Sequence, residues 1–296
     1  MKTKKKDIQK KWTILEIIQW ATAYLDERKI ENPRLNAEVL LGNTTGLDRV
    51  GLYVNYDRPL EVHELARFKE FIQRRIKREP LQYIHGYKEF YSANLKVSRD
   101  VLIPRNETEL LVDEVLKELI NFNGDPRILE IGVGSGAVSI AIGKEIKNGK
   151  IFASDVMASA MHVAQENVIL HGVSDIISLF VADLFSSIKM QNLFDMIVSN
   201  PPYVEKSAYT SLQPEIFYEP EVALVGGTDG LEFIKKIIEY APTYLKTCGY
   251  LFLEIGHGQI KDVLEMIKKT EQYSNIDVIK DYSGIDRVVK IKKRQL

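Results

Sequence analysis

The sequence is poor in the residue types that build metal centres and disulfides. Its 296 residues include one cysteine, Cys248, and five histidines that are scattered along the chain. A single cysteine excludes an internal disulfide framework and a cysteine-rich zinc site. No two histidines stand at the close spacing of metal ligands, which argues against a histidine-built site. We therefore expect no metal.

Long apolar runs and an excess of charge of one sign are also lacking. No apolar run reaches the ~18 residues of a membrane-spanning helix, and no long apolar stretch follows the basic N-terminus, as a secretory signal requires. Lys and Arg number 40 and Asp and Glu 41, for a formal net charge of -1. This balance argues against coating nucleic acid through bulk electrostatics. We expect a cytoplasmic monomer with no membrane partner and no direct nucleic-acid partner.

At about 150 residues per domain, the length predicts two domains. Residues 1–80 are predicted to form a small helical domain, in which Thr13 and Glu16 have the spacing of a capping box and Asn32 precedes Pro33 as an N-cap. The basic segment 1–12 is interpreted as a solvated tail, or alternatively as an arm that binds RNA or a ribosomal partner. A helix over about 61–78 carries a basic row, interpreted as a solvated face or as a docking surface for an acidic partner. That row consists of Arg67, Lys69, Arg74, Arg75, Lys77 and Arg78.

Residues 81–101 change character and predict a β-hairpin that links two domains. The segment combines aromatic and β-branched residues with a polar turn at 92–94, which is typical of a hairpin. After Pro104, Asn106 and Glu109 have the spacing of a second capping box. The role of Arg105 stays open.

Residues 102–296 are predicted to form an α/β domain. Short apolar segments alternate with amphipathic ones, which indicates βα units in a parallel sheet covered by helices on both faces. The predicted strands are 127–131, 150–154, 176–182, 194–199, 249–255, 275–281 and 286–292. The predicted helices that alternate with them are 136–147, 157–171, 229–246 and 259–271.

The first of these strands runs into a glycine-rich turn that predicts a nucleotide-like ligand. The turn is Gly132-Val133-Gly134-Ser135-Gly136. Glycine allows positive φ and close approach of the backbone to a ligand, and the helix that follows adds free N–H groups. With Ala137 the turn fits the dinucleotide pattern G-x-G-x-x-G/A. It fits equally the Gly-x-Gly-x-Gly turn that holds the methionine part of S-adenosylmethionine, so both ligands stay open.

Acidic residues follow the next two predicted strands. Asp155 can accept both ribose hydroxyls of either ligand, or alternatively cap the helix that begins near Met157. Asp183 can take an adenine amino group, and Leu184 can cover the adenine ring. These residues do not distinguish the two ligands.

The strand 194–199 ends in the motif Asn200-Pro201-Pro202-Tyr203, which favours methyl transfer to a planar nitrogen. Such a nitrogen is a poor nucleophile, because its lone pair is delocalised. The Asn200 side-chain oxygen and the Pro201 carbonyl supply two acceptors for its N–H bonds, and the prolines bring no competing N–H donor. Tyr203 can pack against the flat substrate group. An ordinary Asn-Pro turn is the alternative, and a nicotinamide oxidoreductase has no use for this motif.

With these motifs in place, the chain resembles the HemK/PrmC family of release factor glutamine methyltransferases. The resemblance covers nearly the whole chain: REPLQYIHG at 78–86, LIPRNETE at 102–109, the glycine turn, NPPY at 200–203 and LEIG at 253–256. Two positions depart from the family pattern, since Asn106 replaces a usual proline and Glu130 replaces a frequent aspartate.

The resemblance implies a fold, a cofactor and a reaction. The fold is the α/β, Rossmann-like class I S-adenosylmethionine-dependent methyltransferase fold, with a seven-stranded, mostly parallel sheet and a small N-terminal helical domain. The reaction methylates the side-chain amide N5 of the glutamine in the Gly-Gly-Gln loop of class 1 peptide chain release factors and leaves S-adenosylhomocysteine. The N-terminal helices would grip the release factor. Implied cofactor contacts are Gly132, Val133, Gly134, Ser135, Gly136, Asp155, Asp183, Leu184 and Asn200. Implied substrate contacts and catalytic residues are Asn200, Pro201, Pro202 and Tyr203.

Other functions remain open at this point. A glutamine methyltransferase of a ribosomal protein shares the core motifs and differs only in what its N-terminal domain binds. An adenine-N6 methyltransferase for DNA or RNA would be expected to have a base-reading domain and a more basic surface. A non-catalytic binding protein would not need the two acceptors of the Asn200 motif.

Overall fold

The structure, a computed structural model, describes residues 11–295. All but the last two residues of the basic tail, predicted over 1–12, lie outside the described residues. The chain divides into two compact units between Gly86 and Tyr87. Among residues 11–295, no helix combines the length and the apolar character needed to cross a membrane.

The first unit is helical. Its apolar core includes Ile14, Leu25, Leu40, Phe68 and Ile72. The predicted capping box is confirmed, because the Thr13 hydroxyl accepts from the Glu16 N–H at 3.3 Å and Glu16 accepts from the Thr13 N–H at 3.1 Å. Asn32 is the N-cap residue and Pro33 begins α2, as predicted, but Asn32 adopts φ 49° and its side chain makes no capping hydrogen bond. The helices are α1 (Ile14–Asp26), α2 (Pro33–Thr45), α3 (Arg49–Val54), α4 (Val62–Ile76) and α5 (Leu81–His85).

Part of the predicted basic row is structural. Arg75 is only 5% exposed, and its guanidinium donates to the Asn36 side chain at 2.7 Å. Arg74 forms an ion pair with Glu79 at 2.8 Å, and Arg78 donates to two backbone carbonyls that follow α1. The interpretation of the whole row as one solvated face is therefore wrong, because half of its members hold the helical unit together.

The hairpin is shorter than predicted and belongs to the second unit. Residues 81–85 form α5, and the hairpin consists of β1 (Tyr87–Phe90) and β2 (Ala93–Lys96). Asn167 fixes the hairpin to the second unit, because its side-chain amide pairs with both the N–H and the carbonyl of Lys96, at 2.8 and 2.9 Å.

The rest of the second unit is one seven-stranded sheet with helices on both faces. The strand order is β5-β4-β3-β6-β7-β9-β8, and β9 runs in the opposite direction to the other six strands. The strands are β3 (Arg127–Ile131), β4 (Lys150–Asp155), β5 (Ile177–Val181), β6 (Phe194–Ser199), β7 (Leu245–Glu254), β8 (Tyr273–Lys280) and β9 (Asp286–Lys293). The helices are α6 (Glu109–Ile120), α7 (Ala137–Glu145), α8 (Ala158–Leu170), α9 (Lys206–Tyr209), α10 (Glu232–Tyr244) and α11 (Ile260–Thr270).

Successive side chains of the central strands point to opposite faces of the sheet, so each face has its own part of the apolar core. Ile128 packs with the cluster under α6, α7 and α8, while its neighbour Leu129 packs with the cluster under α10 and α11. The chain adds β4 and β5 on one side of β3 and then returns to place β6 on the other side. The carboxyl ends of β3 and β6 therefore flank a topological switch point, where open α/β sheets bind their ligands.

Candidate active site

A pocket lies at the switch point, beyond the carboxyl ends of β3, β4 and β6. It contains about 1070 Å³ of space, part of it open to solvent. The predicted site residues that line it are Gly132, Val133, Gly134, Ser135, Asp155, Asp183, Leu184, Asn200, Pro201 and Pro202. Gly136 and Tyr203 were also predicted in the site but do not line the pocket.

The glycine turn folds as a loop that leaves its backbone open to the pocket. Gly132, Gly134 and Gly136 all have positive φ, at 79°, 51° and 85°, a region that side chains disfavour. A Cβ added at Gly134 would meet no atom within 4 Å, whereas one at Gly136 would lie 3.0 Å from Ile140 Cδ1. Gly134 therefore leaves room for a ligand, and Gly136 allows α7 to begin and pack.

Two backbone N–H groups hold the Asp155 carboxylate at the pocket. One carboxylate oxygen accepts from the Gly134 N–H at 3.0 Å, and the other accepts from the Met157 N–H, at the start of α8, at 2.9 Å. The carboxylate thus ties the glycine turn to the neighbouring helix. Each oxygen can accept more than one hydrogen bond, so the side chain can also hold hydroxyls of a ligand in the pocket.

Asp183 and Leu184 form another part of the wall. The Asp183 carboxylate is exposed, while its N–H donates to the Ser186 hydroxyl at 3.2 Å. Leu184 has φ 49° and packs its half-buried side chain at the edge of the apolar core while lining the pocket. This places an acceptor next to an apolar surface, the combination that a purine ring requires.

Asn200 follows β6 directly and is held by its side-chain nitrogen. Its Nδ2 donates to the Thr108 hydroxyl at 3.1 Å, so its Oδ1 is the atom left to accept from a substrate. Among residues 11–295, no backbone N–H donates to the Pro201 carbonyl. Two neighbouring carbonyl oxygens are therefore open as acceptors at the pocket.

Tyr203 does not line the pocket, and its ring packs against the apolar core, so contact of the ring with the substrate stays a prediction. Its hydroxyl donates to Glu254 Oε1 at 3.2 Å, and its backbone carbonyl accepts from the Gln259 side chain at 3.0 Å. Burial and the nearby Glu254 carboxylate raise the pKa of the phenol well above its usual value. Tyr203 therefore anchors the Asn200 motif from behind.

Comparison with known proteins agrees with this geometry. The PrmC N-terminal domain model matches residues 16–86, and the Methyltransferase small domain model matches residues 106–229. A release factor glutamine methyltransferase of Geobacter sulfurreducens is 43% identical over 279 residues, which are 94% of this chain and 96% of the relative. Another, of Thermodesulfovibrio yellowstonii, is 44% identical over 261 residues, or 87% and 91%. The chain belongs to the release factor glutamine methyltransferase family.

A solved structure supports the fold of this family member. The crystal structure of the hMettl16 catalytic domain in complex with MAT2A 3′UTR hairpin 1 has a TM-score of 0.57 and 15% identity, and covers 81% of this chain and 84% of that one. At this identity the likeness concerns the fold alone. The predicted α/β methyltransferase fold and the predicted enzyme class, a protein-glutamine methyltransferase, are both confirmed.

The wall of this methyltransferase's pocket also contains residues that the sequence left undecided. The guanidinium of Arg105 forms an ion pair with Glu219 at 2.6 Å, and the other Glu219 oxygen accepts from the Ile103 N–H at 2.9 Å. The Asn106 capping box is wrong, because Asn106 accepts from the Lys88 ammonium and Glu109 accepts from the Tyr91 N–H. Residues 102–109 thus join the hairpin to the loop that follows the Asn200 motif.

Glu130, at the end of β3, is a buried carboxyl that sequence reasoning did not place in the site. Burial raises its pKa to about 8, with a further contribution from the charge of Asp155. The N–H of Ser139 donates to it at 3.0 Å, and the Ser139 hydroxyl donates to the same oxygen. Glu130 thus fixes the first turns of α7 under the glycine loop.

We expect Glu130→Gln to flatten the pH dependence of stability. A carboxyl whose pKa is raised by folding contributes stability that is fully present below its unfolded pKa and lost as the pH rises through its folded pKa. For Glu130 that interval runs from 4.5 to about 8. The wild-type free energy of unfolding should fall across it by at most about 1.4 kcal/mol per pH unit from this group. Urea unfolding at several pH values measures the slope.

The matched variant Glu239→Gln, at an exposed position, should keep the wild-type slope. An unchanged slope in Glu130→Gln would contradict the assignment.

Proposed function

We propose that this chain transfers the methyl group of S-adenosylmethionine to the side-chain amide nitrogen of a glutamine in a peptide chain release factor. The observation that carries the proposal is Asn200. Its side chain is held by Thr108 at the switch-point pocket, with the Pro201 carbonyl beside it. An amide nitrogen has two N–H bonds, and the site offers two neutral carbonyl acceptors.

The residues of the pocket fit S-adenosylmethionine. Asp155 has remaining acceptor capacity for the ribose hydroxyls, the open space at Gly134 accommodates the methionine part, and Asp183 with Leu184 suits the adenine. When bound, the cofactor supplies a methyl group on a positively charged sulfur. Among the described residues, no three His, Cys, Asp or Glu side chains are grouped so that they could hold a metal ion. The proposed reaction uses no metal ion.

The chain contributes orientation and electrostatics to the transfer. The reaction is an in-line displacement, in which the amide nitrogen must approach the methyl carbon to about 3 Å. Hydrogen bonds from its two N–H groups to Asn200 Oδ1 and the Pro201 carbonyl would hold the nitrogen in line. As the nitrogen becomes positive in the transition state, the same carbonyl dipoles stabilise it. Once the methyl group is attached, the nitrogen would release one of its two protons to water, which leaves a neutral methylated amide.

The N-terminal unit supports a release factor as the substrate. The PrmC N-terminal domain model matches residues 16–86, and the relatives that share both units are named release factor glutamine methyltransferases. We therefore propose the glutamine of the Gly-Gly-Gln loop of class 1 release factors as the acceptor. Because release factors act in translation, we propose that the reaction takes place in the cytoplasm. We also propose that the chain acts on this protein substrate as a monomer.

Transfer of labelled methyl groups to purified substrates tests the proposal. We expect label on a class 1 release factor and none on the same factor with its loop glutamine replaced by alanine. Parallel reactions with ribosomal proteins and with DNA test the two alternative substrates. Label on the alanine variant, or a faster reaction with either alternative substrate, would overturn the glutamine or the release-factor assignment.

A further inference from the structure

Two sequence segments that carry the family resemblance, but have no role in the reaction as described so far, meet behind Asn200. One is LIPRNETE at 102–109, which supplies Thr108, and the other is LEIG at 253–256, which supplies Glu254 at the end of β7. Both side chains are buried, at 4% and 1% exposure. Thr108 accepts from Asn200 Nδ2 at 3.1 Å, and Glu254 Oε1 accepts from the Tyr203 hydroxyl at 3.2 Å. Asn200 and Tyr203, the two ends of the NPPY motif, are therefore both held from this side.

The orientation of the Asn200 amide decides whether the site can work. Only Oδ1 can accept an N–H of the substrate, and a rotation of the amide by half a turn would present two N–H donors to it instead. A threonine hydroxyl alone does not select between the two orientations of the Asn200 amide, because it can either donate or accept a hydrogen bond. It selects one orientation only when its own proton is committed to another acceptor.

Glu254 is placed to take that proton. Within the part of the chain that the structure describes, its Oε2 is buried and accepts no hydrogen bond. The nearby hydroxyls of Thr108 and Tyr203 lower the pKa of this carboxyl, against the effect of burial. A buried carboxylate oxygen with no other donor is a strong acceptor, and an ionised carboxyl can only accept.

We propose that Thr108 and Glu254 are positioning residues that fix the amide of Asn200 for methyl transfer. In this arrangement the Thr108 proton would turn to the unpartnered Glu254 Oε2, which leaves the Thr108 oxygen to accept from Asn200 Nδ2. Oδ1 then faces the pocket. This inference rests on the proposed function, because it concerns how the acceptor of the substrate N–H is oriented.

Titration of Glu254 gives the arrangement a pH dependence. Burial raises its pKa to about 7, and Glu107 adds to the rise. Arg287 of β9, which is paired with Asp281, and the hydroxyls of Thr108 and Tyr203 oppose it. Protonated Glu254 no longer requires the Thr108 proton, so the hydroxyl can turn to Asn200 and the amide can rotate. Activity should therefore fall as the pH drops below about 7.

The test compares Thr108→Val with Thr108→Ser. Valine keeps the shape but removes the hydroxyl, so we expect kcat to fall about tenfold, which corresponds to about 1.4 kcal/mol. Serine keeps the hydroxyl and should restore kcat to within about twofold of wild type, a difference of about 0.4 kcal/mol. The Kd for S-adenosylmethionine and the KM for the release factor should stay near wild type in both. Thr270→Val, far along the chain in α11 with its hydroxyl on a helix carbonyl, is the matched control.

The pH profile of kcat in the variant Glu254→Gln is an independent test of the inference. The wild type should lose activity on the acidic side of about pH 7, and the glutamine variant should be slower and lack this step. Wild-type kcat in Thr108→Val, equal losses in the serine and valine variants, or an unchanged pH profile in Glu254→Gln would overturn the inference. If Thr108→Val does not fold, the pH profile and the serine variant decide. Failure of the wild type to methylate any glutamine would instead refute the proposed function.

Discussion

Replacing Asn200 with alanine is expected to lower kcat for methyl transfer by about 100- to 1000-fold. The side chain supplies one of the two carbonyl acceptors at the pocket, and its amide is held in place by Thr108 at 3.1 Å. A preorganised dipole of this kind acts mainly as charge develops on the nitrogen. Removing it should slow the chemical step without unfolding the protein, because the backbone of β6 is fixed by pairing with β3 and β7.

Single-turnover transfer with both substrates saturating measures this effect. Calorimetry of S-adenosylmethionine binding to Asn200→Ala should give a Kd close to that of wild type, which locates the loss in the reaction. Asn106→Ala is the matched control, because Asn106 is exposed, accepts from Lys88 and does not line the pocket. Turnover by Asn200→Ala near the wild-type rate would contradict the role of the two acceptors.

Replacing Asp155 with alanine is expected to weaken S-adenosylmethionine binding by about 10- to 100-fold. A hydrogen bond to a charged group is worth roughly 1.5–3 kcal/mol, and Asp155 is the carboxylate at the pocket end of β4. The variant also loses the bond that holds the Gly134 N–H at 3.0 Å. The glycine turn would then be less well ordered for the ligand, which acts in the same direction.

Two further variants separate these contributions. Asp155→Asn keeps one carbonyl oxygen for the backbone, so its Kd should lie between those of wild type and Asp155→Ala. Asp175→Ala, at an exposed aspartate outside the pocket, should bind like wild type. An unchanged Kd in Asp155→Ala would show that this carboxylate does not hold the cofactor.

Much of the sheet can be predicted from the sequence because its signals are local. The strands at 127–131 and 194–199 agree with the structure to the residue, since each is an apolar run that ends at a glycine turn or at Asn200. The short helices α3 and α5 were missed, because runs of five or six residues carry too little periodicity to distinguish a helix from a loop.

The parts of the site that the sequence did not reveal depend on pairings between distant residues. Thr108 and Asn200 are 92 residues apart, and no local pattern connects them. The sequence suggested that Arg75 is a surface charge. In the structure its guanidinium is buried and donates to Asn36, which is 39 residues away. Tyr203 was expected to face the substrate because it belongs to the Asn200 motif. Its hydroxyl instead donates to Glu254, a buried residue that is distant in the sequence.

The most direct test of the account is to locate the methyl group in the product. Fragment mass spectrometry of a class 1 release factor after incubation with this protein and S-adenosylmethionine should place one added methyl group on the loop glutamine. Acid hydrolysis of the same peptide should release methylamine, because the group is on the amide nitrogen. A methyl group on another side chain, on the backbone, or only on a ribosomal protein would contradict the proposed reaction.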